Sequence, residues 1–127
     1  MKIAALVSRI LLGIIFLLFG ANGLHSFLPS PPFPPGLANQ YVTALYQSHY
    51  FLVPFAVQFV GGILLLVGRF VPLALAILGP VIVNILCFHI FLFHTGLPRA
   101  IFVAILWCIL FFYYRRSFAG IFEARPS

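Results

Sequence analysis

Four long apolar stretches, at roughly residues 5–27, 51–67, 70–93 and 97–114, limit this chain more than any other feature. A helix crossing the hydrocarbon of a bilayer needs about 20 mostly apolar residues, and each stretch approaches that length. Composition points the same way. Of 127 residues 64% are hydrophobic and 6% charged, against about a quarter charged in a soluble domain. One acid, Glu123, and seven bases cannot cover a water-facing surface of this size. The expectation is an all-α, integral membrane four-helix bundle formed by a single domain over residues 1–127.

The net charge of +6 would ordinarily raise nucleic acid as a partner. Its distribution argues against that. Lys2, Arg9, Arg69, Arg99, Arg115, Arg116 and Arg125 sit at the ends of apolar segments, where they suit anionic lipid headgroups and not a phosphate-tracking stripe. With the N-terminus inside, six of these bases fall on the cytoplasmic side and only Arg99 on the other, the bias expected of short cytoplasmic loops. Both termini are therefore expected in the cytoplasm, and the protein in a bacterial cytoplasmic (inner) membrane. A cleaved signal peptide is disfavoured, because apolar character resumes through Leu24, Phe27 and Leu28.

The outer loop, 28–50, opens with Pro29, Pro31, Pro32, Pro34 and Pro35. Prolines remove backbone donors and favour extended geometry, so this run reads as a stiff connector. Tyr41, Leu45 and Tyr46 then recur at helical spacing and predict a short interfacial helix. Tyr41, Tyr46 and Tyr50 on one side, with Tyr113 and Tyr114 on the other, fit aromatic belts. Gly13, Gly20, Gly61, Gly62 and Gly79 mark helix-packing faces, since small residues let membrane helices approach closely. Pro80 is expected to bend the third span. Cys87 and Cys108 form no C-x-x-C pair and read as small buried hydrophobes.

Polar residues inside the spans carry the chemistry, because an unsatisfied amide in hydrocarbon costs several kcal/mol. Counted from the basic ends at about 1.5 Å per residue, Asn22, Gln58 and Asn84 stand at ~16–22 Å on three different helices. His25 and His89 extend the layer outward. Asn84 and His89 are five residues apart, about 140° around an ideal helix, which works against a shared face. Three readings stay open: interhelical hydrogen bonds holding the bundle in register; a pocket in which Asn22, His25, Gln58, Asn84 and His89 contact a lipid or quinone-like ligand; and a metal or haem held between His25 and His89, without carboxylate support. No catalytic acid–base pair can be assembled, since the chain has no Asp and Glu123 lies in the tail.

Arg9-x3-Gly13-x2-Phe16-x3-Gly20, the run Gly61-Gly62-Ile63-Leu64-Leu65-Leu66-Val67-Gly68-Arg69 and Pro80-Val81-Ile82-Val83-Asn84 together resemble the DoxX-like family of small bacterial four-helix membrane proteins, over residues 8–118. Asn22-Gly23 stands where a lysine often closes the first span in that family. The resemblance implies a four-helix membrane fold and, in some relatives, membership of membrane redox assemblies, among them a thiosulfate-to-quinone oxidoreductase subunit. It supplies no catalytic residues. The resulting expectation is an accessory subunit without catalysis of its own, binding a quinone or lipid beside a redox protein partner. A purely structural or assembly protein, a homo-oligomer and an autonomous oxidoreductase are the alternatives.

Overall fold

A computed structural model describes residues 1–26 and 33–125. Within them the protein is all-helical: α1 (Lys2–Leu24), α2 (Leu37–Gln47), α3 (Leu52–Val67), α4 (Val71–Cys87) and α5 (Leu97–Tyr113), with a π-helical turn at Phe88–Leu92 and 3-10 segments at His94–Gly96 and Arg115–Phe122. The extended geometry expected of residues 29–32 lies outside the described residues. Local chemistry sets the boundaries. Prolines occupy the first turns of α4 and α5, where the missing N–H would have no partner anyway. Gly68 ends α3 in the left-handed region (φ 78°), and the N–H groups of Gly68 and Arg69 both reach the Leu64 carbonyl.

The expected four-helix bundle is corrected by this arrangement. Three helical stretches are long and apolar enough to cross a membrane: Lys2–Leu24, Val71–Leu92 and His94–Tyr113. The second apolar window instead yields α3, whose 16 residues span ~24 Å, short of a ~30 Å hydrocarbon core. α3 meets α2 at 85°, so a fourth crossing would exist only if this bent pair were one span. The bend has a local cause that hydropathy does not register. His49 takes a positive φ (63°), and the Ser48 hydroxyl accepts from the Tyr50 N–H while donating to the Leu45 carbonyl. The third window is also interrupted, because the π turn follows α4 at Phe88.

α1 and α3 share the most extensive interface and run antiparallel. Glycines make it possible. A Cβ on Gly20 would lie 2.5 Å from the Phe59 backbone nitrogen, one on Gly62 would lie 2.5 Å from that of Leu17, and Gly13 faces Leu66 and the Gly62 carbonyl. Gly61 points the other way, against Leu78 of α4. At the far end of this seam the Arg9 guanidinium donates to the carbonyls of Leu65 and Leu66, which the end of α3 leaves without helical partners. Between α4 and α5 the Trp107 indole N–H donates to the Leu75 carbonyl at 3.0 Å, and its ring passes beside Gly79, which offers no side chain to block it. Leu12, Phe16, Leu65, Leu75, Leu78 and Leu110 are fully buried in the resulting core.

Outside that core the surface is apolar. Only 33%, 28% and 22% of the three membrane-length windows are buried, which leaves much of their leucine, isoleucine and phenylalanine surface facing outward. This distribution is consistent with a membrane protein, in which lipid and not water is the outer solvent. Cys87 and Cys108 are free and exposed, correcting the expectation that they are buried: each sits on an outward-facing stripe of its helix. Met1 lies against Phe112, and Lys2, Arg9 and Gly68 share a groove with Tyr113 and Tyr114, so the chain's N-terminus and the C-terminal end of α5 meet at one end of the molecule. There Phe118 folds back into the core against Phe111.

Two stability predictions follow from these contacts. Gly20→Ala places a methyl group into the Phe59 backbone and should cost about 1–3 kcal/mol as α1 and α3 are forced apart. Gly120→Ala, which meets nothing within 4 Å, should be near neutral in the same thermal unfolding series in detergent. Trp107→Phe retains the ring but loses the bond to Leu75, and should lower stability by about 1 kcal/mol.

Candidate functional site

The end opposite Arg9 and Met1 is built around Gln58, one helical turn past Pro54 in α3. Gln58 is 6% exposed, and its side chain makes no hydrogen bond among the described residues. No amide atom of it is sealed off without a partner, so the amide opens onto the two adjoining cavities that Gln58 lines. The first cavity, of about 270 Å³, lies beneath α2 and contains Gln58, Asn84 and His89 among aromatic and aliphatic side chains. The second, of about 320 Å³, lies between α1, α3 and α5 and contains Asn22, Gln58, His89 and Arg99.

α2 roofs the first cavity. Tyr41, Val42, Leu45 and Tyr46 project from its underside, in keeping with the helical spacing of its aromatic residues. Rings hold the roof down: Tyr41 packs on Phe88 with centroids 5.5 Å apart, and Phe33, just before α2, meets Phe93 edge-on at 4.9 Å. The Asn39 side-chain amide donates to the Phe33 carbonyl, tying this approach segment to α2. The Tyr46 hydroxyl donates to the Gly23 carbonyl near the end of α1, and its ring stacks on Phe51 at 4.5 Å. Of the outer tyrosines expected in an interfacial belt, Tyr41 and Tyr46 line this cavity, Tyr46 with 38% of its surface still exposed, while Tyr50 is 67% exposed and lines none of it.

The π turn brings Asn84 and His89 to one cavity despite their five-residue offset. Winding with i→i+5 hydrogen bonds, such as Phe93 N–H to the Phe88 carbonyl at 3.0 Å, turns the chain less per residue and moves His89 toward the face of Asn84. His89 Nδ1 lies 3.0 Å from the Phe93 carbonyl oxygen. A carbonyl only accepts, so Nδ1 carries the proton, and in the neutral ring Nε2 is the acceptor. The imidazole rests against Gly96, where a Cβ would come within 2.4 Å of it.

The structure therefore gathers Asn22, Gln58, Asn84 and His89 about two adjoining cavities. His25 is separate from them: it is exposed at the end of α1, its backbone N–H bonded to the Ala21 carbonyl, and it lines neither cavity. Gln58 and Asn84 do not join helices by amide bonds among the described residues, whereas Asn22 is engaged. The interhelical hydrogen bonds come instead from Arg9, Trp107 and Tyr46 to main-chain carbonyls. Among the described residues no three His, Cys, Asp or Glu side chains gather as metal ligands. Arg99 was legible in the sequence as the only outer base, but nothing there placed it in a cavity.

Comparison of the chain with protein-family models, curated proteins and solved structures gave no match in any of the three. The quinone-specific and DoxX-specific parts of the sequence expectation find no counterpart in this helix arrangement, whose bent α2–α3 pair departs from the four-helix membrane fold that the resemblance implied.

Burial pushes the Tyr46 phenol up from its ordinary range. Because the shift is upward in the folded state, its contribution to stability is complete below the ordinary phenol range and is lost as pH rises through the folded value. A wild-type minus Tyr46→Phe ultraviolet titration should isolate one tyrosine ionising later than an exposed one, and alkaline destabilisation should be weaker in the variant.

Proposed function

We propose that this chain is a multi-pass protein of the bacterial cytoplasmic membrane, without catalysis of its own, that holds a lipid-class amphiphile in the two cavities beneath and beside α2. The observation that carries this reading is Gln58, a nearly buried amide with no partner among the described residues, opening onto apolar cavities. A ligand hydroxyl, carbonyl or acid in these cavities can pair with the amide, in surroundings that offer it few other partners. The aromatic and aliphatic walls suit an acyl or isoprenoid chain, and the polar groups at Gln58, Asn84 and His89 suit its head.

The basic end, with Lys2, Arg9, Arg115 and Arg116, is assigned to the cytoplasm by the positive-inside bias, which puts the cavities in the outer half. An accessory role agrees with the absence of any Asp from the sequence and the position of Glu123 beyond α5. The relation to DoxX-like proteins rests on the glycine and arginine spacing alone.

Photoreactive monoacylglycerol, a neutral single-chain probe, should label cavity-lining residues of α2, α3 and α4 when the protein is held in nanodiscs. Val42→Trp, which fills the space under α2, should reduce that labelling severalfold while outward residues such as Ile105 keep their background level. Uniform labelling along the outer helix faces, indifferent to Val42→Trp, would show that the cavities hold no ligand.

A further inference from the structure

We infer that the cavity between α1, α3 and α5 takes an anionic, single-chain amphiphile, a carboxylate or phosphate monoester whose head pairs with Arg99; this rests on the lipid-binding reading above. Arg9 is held by the Leu65 and Leu66 carbonyls, and Arg115 by the Phe112 carbonyl at 2.9 Å and the face of its ring at 4.5 Å. Arg99, an exposed side chain in the first turn of α5, shares with Lys2, Arg69, Arg116 and Arg125 the lack of a hydrogen bond or ion pair among the described residues, but of these it is the one that lines a cavity together with Gln58.

The chain has no carboxylate side chain to offer it. Glu123 is its only acid, and it follows α5 at the far end, about 21 Å of helix from Arg99. An anionic head in the cavity therefore meets no acidic side chain competing for Arg99. The same cavity supplies the Gln58 amide, whose NH₂ can donate to a second oxygen, while Ile15, Phe16, Phe19 and Val103 form an apolar wall for a tail. Guanidinium binds carboxylate and phosphate through paired N–H donors, and the pairing strengthens where water is scarce. At about 320 Å³ the cavity sits at the small end of ligand sites, which favours one acyl chain over two.

The test uses full-length protein in phosphatidylcholine nanodiscs and three probes with the same alkyl chain: a fatty acid, its methyl ester and an alkyl phosphate. In wild type the acid and the phosphate should each bind at least tenfold tighter than the ester. Arg99→Gln should erase that preference while leaving ester affinity unchanged, and Arg99→Lys should restore most of the preference. Equal binding of acid and ester to wild type, or a preference that survives Arg99→Gln, would overturn the anionic assignment while leaving the lipid-binding reading intact. Failure of all three probes to bind would overturn the lipid-binding reading as well. Loss of fatty-acid binding when phosphatidylglycerol is added to the nanodisc would overturn the single-chain assignment, because a two-chain headgroup would then be the occupant.

Discussion

The close approach of α1 to α3 governs the rest of the molecule. In lipid there is little hydrophobic gain in pressing one apolar helix on another, so close backbone contact and main-chain hydrogen bonds must hold the pair. Gly13, Gly20 and Gly62 allow that contact, and even one extra methyl at Gly20 or Gly62 would strike backbone. Arg9 then fixes the register by binding the open carbonyls at the end of α3. A charge that could have reached for lipid headgroups is used instead as a helix cap, where it also meets the negative end of the helix dipole.

That seam sets where the cavities fall. It closes at Gly23, where the Phe55 ring occupies the space a side chain on α1 would need. Beyond this point α3 has already turned into α2 at 85°, and α1 has ended at His25, so neither helix continues outward to fill the space beside the π turn and the start of α5. Tyr46 bonds to the Gly23 carbonyl and holds α2 across the gap, while the π turn spreads α4 at the same level. The cavities are thus the volume left when a short helix bends away from a longer partner.

The sequence revealed the parts that depend on one helix at a time. Apolar windows located α1, α4 and α5, the spacing of Tyr41, Leu45 and Tyr46 revealed the inner face of α2, and the glycines marked contact faces. What it hid depends on two segments meeting. Hydropathy places α3 within one residue of its bounds, but carries no trace of the His49 turn that sets α2 at 85° to it, and a window of 51–67 was already short for a crossing. An ideal helical wheel separates Asn84 from His89, and only the π winding, which no local residue signals, brings both to one cavity. Trp107 is one of several aromatic residues in an apolar run, and nothing local signals that its indole N–H makes one of the interhelical bonds. Arg99 read as a topology marker because its neighbours come from α1 and α3, far away in sequence.

The two ends of the molecule differ in how closely their helices meet. At the end where α5 meets the N-terminus, Arg9 and Arg115 are matched to carbonyls, and Phe118 folds back to close the core. At the other end Gln58 and Asn84 lack partners among the described residues, Arg99 has no acid to pair with, and the walls do not meet. A chain selected only for close packing would fill that gap with leucine. Local departures from good packing and polar satisfaction are expected where a protein keeps room for something else. Gln58, 6% exposed and lining both cavities, with Asn84, His89 and Arg99 around it, is the physical reason to locate the function at this end.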